Sequence, residues 1–61
     1  MRRELAYETA QWRANRYKEE YVAIRARNGQ WMVETAEFLE TPQGRLCYPE
    51  DRAREVFLPS R

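Results

Sequence analysis

Residues 21–35 read YVAIRARNGQWMVET, two segments rich in apolar residues that flank Asn28 and Gly29. An Asn-Gly pair favours a two-residue type I′ hairpin, because both turn positions need a positive φ and these two residues tolerate it. The pattern therefore predicts strands at about residues 21–27 and 30–40. Three cross-strand pairs follow on the face expected to be the core: Ile24–Val33, Val22–Thr35 and Ala26–Trp31.

An amphipathic helix is predicted before the hairpin, over about residues 4–20. This stretch contains no glycine or proline and is rich in alanine, glutamate and arginine, which are good helix formers. Five residues share one face at the three-and-four spacing of a helix: Tyr7, Ala10, Ala14, Tyr17 and Tyr21. Leu5 and Trp12 lie on a second stripe, so the helix has more apolar surface than one contact requires.

A second turn is predicted at residues 41–44, where Pro42 and Gly44 suit a tight loop. It leads into a strand at about 45–48, in which Cys47 faces Leu39. A regular strand over 30–40 would point Glu37 into the core, and this conflict predicts a bulge near Glu37. Pro49 then breaks the sheet, and residues 53–58 form either a final strand or a short helix.

These elements predict one α+β domain over residues 1–61. An N-terminal amphipathic helix precedes a small, strongly bent antiparallel sheet of three or four strands. Such a sheet either lies open with the helix across it or curls into an SH3-like barrel.

The composition argues against catalysis. The 61 residues include no histidine, two glycines and Cys47 as the single cysteine, which excludes a hydrolytic triad, a Cys/His metal site and a glycine-rich phosphate loop. A chain of this length also leaves little room for a substrate pocket. We expect no enzyme activity, cofactor, metal or small-molecule substrate.

The chain is expected to be cytoplasmic. Its longest apolar runs are three residues, and the N-terminus has no apolar stretch of the kind found in signal peptides, so neither export nor membrane insertion is predicted. A single cysteine suits a reducing compartment. Cys47 itself is expected to be a small buried apolar residue.

The surplus apolar helix surface predicts a small regulator or adaptor that binds a partner protein, or a second copy of itself through the helix. The candidate partner-binding residues are Leu5, Tyr7, Trp12 and Tyr17.

The alternative is a nucleic-acid-binding module that contacts backbone phosphates. Its candidate residues are Arg13, Arg16, Arg25 and Arg27, which have aromatic residues near them in the chain. The formal net charge of only +1 and the neighbouring Glu19 and Glu20 weigh against it. A solvated face of mixed charge accounts for the same arginines.

Overall fold

The structure, a computed structural model, describes residues 1–60. Along the chain lie helix α1 (Arg3–Tyr17), strands β1 (Tyr21–Arg25) and β2 (Trp31–Thr35), helices α2 (Ala36–Glu40) and α3 (Pro42–Cys47), and strand β3 (Arg54–Phe57). The predicted α+β class and N-terminal helix are confirmed. The sheet has three strands and is open, so the SH3-like alternative is wrong. The last element is a strand rather than a short helix.

Strand β1 lies at the centre of the antiparallel sheet, whose order is β2-β1-β3. Two separate apolar clusters occupy its two faces. On one face α1 packs with Ala6, Ala10 and Ala14 against Tyr21 and Ala23 of β1. On the other face Leu39 of α2 packs against Val22 and Ile24. The central strand is therefore buried from both sides, in three layers.

The hairpin turn is one residue longer than predicted. The Ala26 N–H donates to Gln30 O at 2.8 Å and the Gly29 N–H donates to Ala26 O at 2.9 Å, so three residues, 27–29, form the loop. Only Gly29 has a positive φ in this loop, +85°. Asn28 instead accepts a hydrogen bond on its Oδ1 from the Gln30 N–H at 3.0 Å. This is a type I turn followed by a left-handed residue.

The longer loop shifts the pairing by one residue, so the predicted register is wrong. Trp31 lies opposite Arg25, Val33 opposite Ala23 and Thr35 opposite Tyr21. A one-residue shift moves the side chains of one strand to the other face of their partner strand. Trp31 and Val33 therefore pack on the α1 side, whereas Ile24 packs on the α2 side.

Residues 36–47 contain the two short helices α2 and α3, which corrects both the long second strand and the strand predicted at 45–48. Thr35 caps α2 by accepting the Phe38 N–H on its Oγ1 at 3.1 Å. Thr41 caps α3 in the same way by accepting the Gly44 N–H at 3.0 Å, with Pro42 in the first turn. Threonine at the N-cap and proline in the first helical turn both favour helix initiation.

Two further predictions change with these helices. Cys47 lies at the end of α3 and is exposed, so it is neither buried nor paired with Leu39. Helix α1 ends at Tyr17 rather than near residue 20, because Lys18 takes a left-handed conformation (φ 57°) while its N–H bonds to Ala14 O. None of the helices in residues 1–60 is both long and apolar enough to cross a bilayer.

Candidate functional site

The outward face of α1 carries the first candidate surface. Leu5 and Trp12 are 52% and 60% exposed. They are two helical turns apart on one stripe, and Trp12 lies about 200° around the helix from Ala10, which faces the sheet. Tyr17, at the end of α1, borders this stripe: it is 54% exposed, and its ring contacts both Trp12, edge-on at a centroid distance of 6.5 Å, and the core residue Tyr21 at 6.3 Å. We call Leu5, Trp12 and Tyr17 the α1 outer surface.

Tyr7, the fourth predicted partner-binding residue, lies elsewhere. It is half-buried beneath α1, where its ring contacts Trp31 at a centroid distance of 5.7 Å and Phe57 at 5.2 Å. Those two aromatic residues come from β2 and β3. Tyr7 thus contributes to the packing of the helix on the sheet, and the predicted group of four is divided between the surface and the core.

A second candidate surface is a recess of about 390 Å³ at the hairpin end of the sheet. Arg25 at the end of β1 and Arg27 in the loop line it together with Arg52, which precedes β3. A backbone hydrogen bond from the Arg25 N–H to Ala53 O, 2.9 Å long, joins the two chain segments here. We call this site the arginine recess. Arg52 was missed in the sequence analysis, because only the pairing of β3 with β1 brings it beside the hairpin.

The guanidinium groups of the arginine recess have little compensation from acidic side chains. Within residues 1–60 the sole ion pair joins Arg3 and Glu4, at 3.6 Å. Asp51 also lines the recess, but it lies outside ion-pair distance of each arginine. The Nε of Arg52 is buried and has no hydrogen-bond partner. The recess therefore carries positive charge that no ion pair within residues 1–60 compensates.

The two predicted helix arginines lie apart from this recess. Arg13 and Arg16 are exposed on α1, and Arg16 follows Trp12 by one helical turn on the outward stripe. Neither lines the arginine recess. The structure therefore brings Arg25 and Arg27 together but separates them from Arg13 and Arg16.

The opposite end of the sheet is acidic. A recess of about 360 Å³ there is lined by Thr35, Ala36 and four glutamates: Glu19, Glu20, Glu37 and Glu40. Strand β1 runs from this acidic recess, at Tyr21, towards the arginine recess, at Arg25. The near-neutral net charge of the chain thus conceals a separation of charge along the sheet.

A third feature is a cleft of about 400 Å³ between the sheet and the α2–α3 pair. The cleft is lined by apolar Val22, Leu39 and Val56 and by charged side chains that include Glu40, Arg45 and Arg54.

Tyr48 lines this cleft, and its pKa is raised. Its hydroxyl donates to Glu34 Oε2 at 3.0 Å. Burial, and then the hydrogen bond to Glu34, raise the pKa of Tyr48 from 10.0 to about 12. The phenol is therefore held in its protonated form, which is unsuited to a nucleophile or base at neutral pH.

This pKa predicts a loss of stability in alkali. The unfolded chain releases the Tyr48 proton near pH 10, whereas the folded chain retains it until about pH 12, so folding binds the proton. The contribution of Tyr48 to stability is therefore constant below pH 10 and falls between pH 10 and 12. Urea unfolding across this range, compared between wild type and Tyr48→Phe, should give a smaller decline in the variant. Equal declines would contradict the assignment, and Glu34→Gln should give an intermediate slope.

Comparisons of the chain with protein-family models, with curated proteins and with solved structures found no match.

Proposed function

We propose that this protein is a small non-enzymatic regulator or adaptor that binds a partner protein through the α1 outer surface. The observation that supports this proposal is the inverted pattern of α1. Its inward face presents three fully buried alanines, while Leu5 and Trp12, its largest aliphatic and aromatic residues, point outward. A helix that served only to cover its own sheet would place these residues inward.

The energetics favour contact with a protein. Tryptophan and tyrosine are enriched among the residues that contribute most to protein–protein binding, where a ring inserts into a pocket of the partner. Trp12 and Tyr17 support each other edge-on, so their rings are held together before binding. Arg16, one turn beyond Trp12, adds a charged residue of the kind common at interfaces. A partner with an apolar pocket rimmed by acidic groups would match this arrangement.

Two observations support a non-enzymatic role. The chain contains no histidine that could activate its one cysteine. In the cleft beside α2 and α3, the raised pKa of Tyr48 disfavours the phenolate that a nucleophile or base would need.

A lone free thiol also suits a reducing compartment, so we propose that the protein is cytoplasmic.

Site-specific photo-crosslinking in native host cells tests the proposal. A benzophenone amino acid replaces Trp12 in one variant and Leu5 in another, and adducts are identified by mass spectrometry. Both positions should capture the same protein, because they lie on one stripe of α1. The matched control carries the same group at Gln43, which is exposed on α3, a helix that packs against α2.

The mass of the adduct distinguishes a homodimer from a complex with a different protein. An adduct of twice the chain mass means that α1 pairs with α1 of a second copy, and light scattering should then report a dimer that Trp12→Ala converts to monomer. An adduct with a different protein means a heterologous partner. The proposal fails when positions 5 and 12 give no adduct beyond that at Gln43.

A further inference from the structure

We infer that the arginine recess binds the phosphate backbone of a nucleic acid, as a second function on a surface separate from α1. Three arginines from two chain segments line the recess: Arg25, Arg27 and Arg52. Arginine offers a planar fork of donors that matches phosphate oxygens, and its charge is retained at every physiological pH.

The three arginines have no ion-pair partner within residues 1–60. Arg25 and Arg27 are exposed and Arg52 is half-buried. The Arg25 guanidinium lies beside the turn, since a Cβ added to Gly29 would be 3.8 Å from its Nη2, an ordinary contact distance. A bound phosphate would supply the charge that no acidic side chain of residues 1–60 supplies within ion-pair distance.

The lining of the recess also indicates what kind of recognition to expect. Besides the arginines it consists of Ala26, Gly29, Asp51 and Ala53, with no aromatic ring on which a base could stack. Contacts to phosphate position a protein on a nucleic acid but carry no sequence information. Binding through this recess should therefore be independent of base sequence.

The acidic recess makes the binding directional. Four glutamates at the far end of β1 repel phosphates, while the hairpin end attracts them. A polyanion is therefore attracted to the hairpin end and repelled from the acidic end, although the formal net charge of the chain is just +1. In this orientation the helix arginines Arg13 and Arg16 are not required for binding.

Fluorescence anisotropy tests the inference with labelled 20-base-pair DNA and 20-nucleotide RNA in about 20 mM NaCl, where backbone contacts are strongest. Arg27→Gln, at an exposed loop position, should weaken binding about tenfold, and the logarithmic salt slope should fall by about one. Arg25→Gln and Arg52→Gln should act similarly. Circular dichroism verifies that each variant is folded, which matters most for half-buried Arg52.

Arg13→Gln and Arg16→Gln are the matched controls, since each removes the same charge from α1. They should change affinity less than about twofold, and two sequences of equal length should bind equally. The inference is overturned when the control variants weaken binding as much as the recess variants, or when neither probe binds at about 100 μM protein. Vesicles containing phosphatidylserine form a further arm, in which recess-dependent binding to vesicles alone would also overturn it. None of these outcomes bears on crosslinking at Trp12.

Discussion

Gly44→Ala is expected to unfold most of the protein at room temperature. A Cβ at this position would overlap the carbonyl oxygen of Phe38 and lie 2.8 Å from its carbon and 2.9 Å from the Leu39 Cα. All three are backbone atoms, so no side chain can rotate away. Overpacking costs about 1–3 kcal/mol and sometimes more, and alanine regains only about 1 kcal/mol of helix propensity over glycine. A domain of this size has only a few kcal/mol of stability to lose.

The measurement is urea unfolding followed by circular dichroism. Gln43→Ala is the control, because Gln43 is the exposed neighbour in the same helix and its replacement should change stability by less than about 0.5 kcal/mol. If Gly44→Ala remained within about 1 kcal/mol of wild type, the close approach of α2 and α3 described above would be wrong.

Ala10→Leu should produce the second large effect. Ala10 is completely buried between α1 and the sheet, and Ala23 of β1, also completely buried, belongs to the same cluster. The small side chains on both elements set how closely the helix approaches the strand. Three additional carbon atoms must push α1 away from the sheet, which we expect to cost about 3 kcal/mol and to leave the chain largely unfolded.

Arg13→Leu introduces the same side chain on an exposed position of the same helix. It should leave the unfolding free energy within about 0.5 kcal/mol of wild type. Thermal and urea unfolding of the pair thus distinguish overpacking from a general effect of leucine in α1. A stable Ala10→Leu variant would show that the helix and sheet can separate without loss of the fold.

The sequence pattern was insufficient to predict the register of the hairpin. Tyr21, Val22, Ala23 and Ile24 are all buried, because helices cover both faces of β1. Alternation of apolar and polar residues fixes a register only when one face is exposed to water. Either register would have buried apolar residues here. The longer loop that is observed is accompanied by a hydrogen bond from the Gln30 N–H to Asn28 Oδ1.

Residues 36–48 carried a signal that pointed to the observed structure. A straight strand would place Glu37 in the core, and a bulge is one way to remove this conflict. Glu37 instead lies in the first turn of α2, where its charge is favourable, after the N-cap Thr35. Thr35 and Thr41, the N-cap residues of α2 and α3, are the sequence feature that indicates two short helices here.

The candidate sites also differ in how far the sequence alone predicted them. The exposure of Leu5 and Trp12 followed from their separate stripe on a predicted helix, whereas the inward position of Tyr7 depended on Trp31 and Phe57. Arg25 and Arg27 are neighbours in the chain, but Arg52 joins them only through the pairing of β3 with β1.

By itself the sequence determined the N-terminal helix, the hairpin and the α+β class, because these depend on spacing and turn residues within a few positions. Tertiary structure decided the register, the two short helices on the second face and the arginine recess. These features depend on contacts between different elements, which are set by which faces can be buried together.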